Sequence, residues 1–300
     1  MKIFLTGSSG FVGQSLLKHF GDNNLVEISS INLRDRLPEI LESANSLIHL
    51  AGKAHDLKNT SKPQEYFEVN YNKTKELYDL FLQSDIKDFI YFSSVKAVAD
   101  TVDGVLIEDE VPSPLTPYGL SKQQAEGYLL NKDLPMGKRL FIIRPCMIHG
   151  PGNKGNLNLL YKVVKKGIPY PLAGFENQRS FLSIENLNYI IERILRDQSI
   201  PGGIYNVADD EALSTNQVIE IMAEANESKA RLWKINSGII RTIASIGDKL
   251  HLPLNSERVK KLTESYVVSN EKIKHALKIE KLPISSKEGL LATIRSFRSI

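Results

Sequence analysis

The chain carries one cysteine, Cys146. A single thiol builds neither a disulfide framework nor a cysteine metal cluster, and it suits a reducing, cytoplasmic setting. Cys146 is expected to be a small buried apolar side chain. Long apolar runs are missing as well: none approaches the roughly 20 residues of a membrane-crossing helix, so membrane insertion is not expected. Met1 and Lys2 lead into "IFLTGSSGFVG", which soon turns polar and glycine-rich and does not read as the apolar centre of a signal peptide. "SGIIRTIASIGDKL" (237–250) is amphipathic and is expected to pack against its own domain. Charge of one sign is scarce too. Lys+Arg 38 against Asp+Glu 35 leaves a formal +3, scattered along the chain, which excludes an advertised nucleic-acid surface and leaves a small anionic ligand open. There is no internal repeat and no low-complexity segment.

What is present suffices for a full core: 300 residues, 42% of them hydrophobic, fit one large domain or two unequal lobes. Short apolar runs alternate with helical patterns, from "KIFLTG" and "FVGQSLLKHF" through "NLVEIS", "ANSLIHLAG" and "EYFEVNYNKTKELYDLFLQS" to "KDFIYFSS" and "KRLFIIRP". Strands spaced by helices imply right-handed crossovers and a parallel sheet, an α/β fold of doubly wound Rossmann type. The expected division is a dinucleotide-binding domain over 1–150, with 180–210 returning to it, and a smaller substrate-binding lobe over most of 151–300.

"TGSSGFVG" places Gly7, Gly10 and Gly13 on the turn from the first strand into the first helix. Backbone without Cβ lets a pyrophosphate approach, and the helix N-terminus offers free N–H groups. The spacing is G-x-x-G-x-x-G, with Ser at position 8, and alone it would read as a tight turn. "LIHLAGKAH" ends a second strand in Ala51 and Gly52, small enough for a ligand to lie against. His49 and His55 in that stretch lack a third ligand at useful spacing, so a metal site is not expected. Asn70 is a candidate for orienting a catalytic group.

Tyr-x-x-x-Lys occurs at Tyr71/Lys75, Tyr118/Lys122, Tyr128/Lys132 and Tyr161/Lys165, and spacing cannot choose among them. Context does. Pro114 and Pro117 break regular structure and leave Tyr118 in the first turn of a helix, with Lys122 one turn on along the same face. The Lys122 ammonium is expected to lower the Tyr118 pKa so that the phenol exchanges a proton with an alcohol or ketone. Ser94, closing the "FSS" strand, is expected to share that oxygen.

The ordered set Gly7-x-x-Gly10-x-x-Gly13, "HLAG", Asn70, "FSS" and Tyr118-x-x-x-Lys122 resembles the extended short-chain dehydrogenase/reductases, the NAD-dependent epimerase/dehydratase group acting on nucleotide sugars. The likeness continues through "RPCMIHGPGNKGNL", "NQRSFLSIENL" and "GIYNVADDEALSTNQVIE" and so covers nearly the whole chain. The resemblance implies roles. Ser94, Tyr118 and Lys122 match the catalytic triad. Gly7, Gly10, Phe11, Val12 and Gly13 match the pyrophosphate turn, Asn32 and Leu33 the adenine contacts, and Leu50, Ala51, Gly52 and Pro145 the rest of an NAD or NADP groove. Arg179 matches the arginine on the substrate diphosphate, where a guanidinium fork suits phosphate oxygens. Lys154 and Asn156 lie in the matching substrate loop.

Departures narrow the reading. Val95 and Lys96 stand where related 4,6-dehydratases carry an Asp-Glu pair, so dehydration is not expected. Ser29 and Ser30 occupy the stretch that normally supplies the acid for the NAD ribose, and Arg34 or Arg36 could meet a 2′-phosphate. That leans to NADP, while Glu27 keeps NAD open. The expected substrate is a UDP-linked sugar worked at C4, with 4-keto-reduction placed ahead of 4-epimerisation. A ketoreductase for a non-nucleotide substrate and a non-catalytic dinucleotide-binding regulator are the alternatives. The resemblance admits a homodimer, although no self-complementary face is legible.

Overall fold

Alternation of apolar side chains along short strands decides the architecture. The structure is a computed structural model describing residues 1–21, 26–33, 44–53, 62–153, 155–250 and 255–299. Its central sheet has six strands: β1 (Lys2–Thr6), β2 (Glu27–Ile31), β3 (Ser46–His49), β4 (Asp88–Phe92), β5 (Arg139–Pro145) and β6 (Gly203–Val207). Their spatial order is β2-β1-β3-β4-β5-β6, and every neighbouring pair is parallel. Successive strand side chains face opposite ways. Ile3, Leu5, Ile90 and Phe92 therefore enter one core, and Phe4, Leu47, Phe89 and Tyr91 the other.

Helices Phe11–Gly21, Ile184–Arg196 and Glu271–Leu277 close the first core; Lys73–Gln83 and Pro117–Leu130 close the second. With helices on both faces the sheet is doubly wound and Rossmann-like, as the alternation predicts. The chain passes from β1 to β2 on one side and then to β3 on the other. Its topological switch point thus lies at the carboxyl ends of β1 and β3, where open α/β sheets bind ligands.

Two further apolar clusters form from residues that follow Asn156. Tyr161, Phe181, Met222, Leu290 and Ile294 pack together in one. Tyr170, Leu172, Ile219, Ile240 and Val259 form the other, under helices Ser237–Leu250 and Ser256–Thr263. Helix Thr215–Ala225 starts at Ser214, which caps Gln217 N–H as its sequence suggests. Among the described residues no helix is long and apolar enough to cross a membrane.

One expected element differs. The pattern from Glu65 predicts a continuous helix, but Pro63–Phe67 and Lys73–Gln83 flank a π-turn, Glu68–Asn72, where Lys73 N–H reaches back to the Glu68 carbonyl. The wider turn carries Asn70, fully buried. Its side chain accepts from Lys53 N–H at 2.7 Å and donates to the Lys53 carbonyl at 3.1 Å and to Ser121 Oγ at 3.0 Å. Local helix regularity yields to these satisfied buried groups.

Candidate active site

The glycine turn is tight for steric reasons. Gly7 sits at φ +72°, and a Cβ there would lie 2.7 Å from Ala51 N; a Cβ on Gly13 would lie 2.3 Å from the Gly7 carbonyl oxygen. Only glycine lets the β1 end, the following helix and the β3 end meet this closely. Gly10 and Phe11 begin the helix and line a cavity of about 910 Å3 shared with Asn153 and Asn188. Ala51 N–H donates to Thr6 Oγ1, which touches His49 Nδ1 at 2.7 Å. His49 Nε2 meets Thr74 Oγ1 at 2.8 Å, and that hydroxyl donates to the Asn70 carbonyl. The chain of donors assigns the proton to Nε2. With both ring nitrogens bonded, His49 is a core residue, held neutral by burial that pulls its pKa down to about 3, with the Lys122 charge adding to the effect.

A cavity of about 240 Å3 at the switch point gathers Val12, Leu50, Gly52, Ser94, Tyr118, Lys122 and Pro145, seven residues expected from sequence. Thr116 caps the helix Pro117–Leu130, and Pro117 opens it, so Tyr118 does occupy the first turn. Asp100 accepts the N–H groups of Leu115 and Thr116 and fixes that approach. Burial pushes the half-buried Tyr118 phenol above its ordinary pKa, and a hydrogen bond from Ser94 works against this.

Here the expected electrostatics need correction. The Tyr118 pKa is raised, not lowered, with burial as the larger cause; the Lys122 ammonium donates to the Phe92 carbonyl at 2.7 Å and lies 4.8 Å from the centre of the Tyr91 ring. Burial draws Lys122 itself down to about 8, Glu126 opposing.

The tyrosines and lysines of the other three pairs line neither of the two cavities of about 240 Å3 and engage other partners. Tyr128 donates to Asp79 at 2.7 Å, with Lys75 and Lys132 both over its ring. Lys75 has thereby left Tyr71, and Tyr161 donates to Asn226.

Ser94 and Cys146 also line a second cavity of about 240 Å3, which holds Arg179 together with Lys96, Glu264 and Tyr266. Arg179 pairs by backbone with Leu213, and its Nε donates to the Glu264 carbonyl at 3.1 Å. Lys96 Nζ donates to the Asp100 carbonyl and lies 4.0 Å from the centre of the Tyr266 ring; burial lowers its pKa. Sequence reading noted Lys96 only as a departure and missed Glu264 and Tyr266, which carry no motif and arrive by topology. Cys146 is buried as expected, its thiol pushed well up by burial and then by Asp209.

Some expected residues stand apart. Asn156 opens the helix Asn156–Lys165, exposed, and lines neither 240 Å3 cavity. Asn32 and Leu33 follow β2 at its carboxyl end, Leu33 leaning on the second core. Glu27 is a correction: it pairs with Lys2 at the start of β2, while the glycine turn follows Thr6, which pairs with Ile31 at the other end. Four residues of strand separate it from the switch point. Lys154, Arg34, Arg36 and His55 lie outside the described residues.

The donor set fits a dinucleotide. Ser93 Oγ is buried without a hydrogen-bond partner among the described residues and lines the groove with Lys122, and a Cβ on Gly52 would stand 3.3 Å from Lys122 Nζ, keeping this wall low.

Comparison with known proteins agrees. Residues 3–208 match the family described as NAD dependent epimerase/dehydratase. A UDP-glucose 4-epimerase of Vibrio cholerae is 32% identical over 246 residues, 74% of this chain and 75% of that protein. A GDP-6-deoxy-D-mannose reductase of Pseudomonas aeruginosa is 25% identical over 247 residues, 74% of this chain and 79% of the relative. Among solved structures, MoeE5 in complex with UDP-glucose and NAD superposes with a TM-score of 0.77 at 18% identity, over 100% of this chain and 99% of its own, and shares the fold.

Proposed function

The chain belongs to the NAD-dependent epimerase/dehydratase family, and from that premise we propose that it is an NAD(P)-dependent enzyme working at C4 of a UDP-linked hexose derivative. Reduction of a 4-keto sugar is placed ahead of 4-epimerisation. The observation that carries this reading is the meeting of Ser94, Tyr118 and Lys122 in one cavity that shares Ser94 with the cavity of Arg179. Relatives named as an epimerase and as a reductase support both chemistries.

Gly7, Gly10, Phe11, Val12 and Gly13 would hold the dinucleotide's pyrophosphate, with Asn32 and Leu33 at the adenine and Leu50, Ala51, Gly52 and Pro145 along the remaining groove. A nicotinamide cofactor supplies or accepts the hydride at C4. Tyr118 moves the proton at the substrate's O4, its burial keeping the phenol protonated and so able to donate, and Ser94 holds the same oxygen. Lys122, anchored on Phe92, has further N–H donors for the nicotinamide ribose. Arg179 takes the substrate diphosphate, and Lys154 and Asn156 are assigned to the substrate as further contacts.

Purified protein incubated with UDP-N-acetylglucosamine and catalytic NAD⁺ tests the two chemistries by NMR of the anomeric signals. Appearance of the C4 epimer without net cofactor reduction makes it an epimerase. Its absence, together with NADPH oxidation on the 4-keto sugar, establishes the reductase. Arg179→Leu should weaken UDP binding far more than NAD(P) binding, and equal losses would sink its assigned role.

A further inference from the structure

The helix Ser237–Leu250 has two apolar faces where packing needs one. Ile240 and Ala244 enter the apolar cluster beneath the helix. Ile239, Ile243 and Ile246 do not: they are 56%, 46% and 50% exposed. Steps of four and three residues set these three on one stripe. The segment leading into the helix repeats the division, with Leu232 and Ile235 packed on the same cluster and Trp233 58% exposed.

Charge on this stretch is one-sided. Residues 229–246 hold Lys229, Arg231, Lys234 and Arg241 and no Asp or Glu, and the end of the helix adds one acid, Asp248, and Lys249, in a chain whose totals are 38 basic and 35 acidic. All four cations of 229–246 are exposed. A second copy of the chain docked face to face would oppose these cations to one another. A partner that is densely anionic outside and apolar beneath meets both features at once.

We propose that Trp233 and the Ile239/Ile243/Ile246 stripe, with their flanking basic residues, form a peripheral docking surface for an anionic lipid bilayer. The helix lies in the headgroup plane and spans nothing: isoleucines and the indole enter the acyl boundary while the cations meet headgroup phosphates. Arg241 lies over the Phe175 ring, 5.9 Å from its centre, so the surface abuts the segment that runs on to Arg179.

The chain's one tryptophan reports on this face directly. Full-length protein is titrated with vesicles of phosphatidylcholine alone and of phosphatidylcholine mixed with phosphatidylglycerol. Trp233 emission should shift to the blue and the protein co-sediment with the anionic vesicles only, less so as salt rises. Lys229→Gln with Lys234→Gln should weaken partitioning roughly fivefold per residue. Ile243→Asp should abolish it with circular dichroism unchanged; should that variant misfold, the lysine pair and the emission shift still decide. Unshifted emission with protein left in the supernatant overturns the proposal. So does a dimer that Ile243→Asp dissociates without any vesicle response, which would make the face a contact between copies.

Discussion

Lys122 Nζ donates to the Phe92 carbonyl across 2.7 Å and ties the helix that bears Tyr118 to the last residue of β4. The ammonium is held in a site where burial has drawn its pKa from 10.5 to about 8. Because the folded value lies below the unfolded one, the unfolded chain binds more protons between the two. The penalty is therefore complete below pH 8 and fades as pH rises to 10.5, a difference of about 3 kcal/mol. Lys122→Met lacks that term. Urea melts should show the stability gap between variant and wild type changing by about this amount from neutral to alkaline pH, and a constant gap would contradict it.

His49 gives the acid counterpart. Its pKa falls from 6.5 to about 3 on burial, so only the unfolded chain takes up the proton as pH drops through that window. Stability should decline by about 2 kcal/mol from this residue between pH 7 and 5. His49→Asn should flatten that part of the pH profile while lowering stability at pH 7 through its lost bonds to Thr6 and Thr74. An unaltered slope in the variant would show that His49 is not the group responsible.

Tyr118→Phe should cut turnover roughly 10²- to 10⁴-fold with cofactor still bound. Tyr128→Phe removes the hydroxyl's bonds to Asp79 and Lys132 and should leave turnover near wild type, at about 1 kcal/mol of stability. Steady-state rates on both variants check the choice, and the reverse ranking would refute it.

Two glycines in one helix should respond oppositely to alanine. A Cβ on Gly119 would meet the Lys96 carbonyl oxygen at 2.4 Å and Pro114 Cβ at 2.8 Å, whereas one on Gly127 meets nothing within 4 Å. Gly127→Ala should stabilise by roughly 0.5–1 kcal/mol, since alanine restricts the unfolded chain. Gly119→Ala should lower both the melting temperature and turnover, because it pushes the Tyr118 turn away from the segment that follows Ser94. Thermal melts separate the two.

The sheet and the Tyr118 site were legible because their signals are local: period-two strands, glycines at a strand end, and prolines ahead of one Tyr/Lys pair. Other features depend on contacts across long separations. Tyr266 donates to the Ala99 carbonyl, 167 residues away, and Arg179 reaches Glu264, 85 residues on. No spacing rule brings such partners together. Glu27 misled because its strand was right but its end was wrong, and the Lys122 contact to Phe92 depends on the relative height of a helix and a strand. Asn70 was singled out from sequence, yet the π-turn that aims it leaves no mark in the hydrophobic pattern.

That π-turn acts as a phase shifter. It inserts one residue into the ladder, so everything before Glu68 is rotated by about 100° against everything after Asn72, compared with an unbroken helix. Asn70 sits at the seam, joined on one side to Lys53 after β3 and on the other to Ser121 beside Lys122. Removing a single residue between 68 and 72 would restore a regular helix and swing this amide out of register, uncoupling the β3 loop from the Tyr118 helix with both segments otherwise intact.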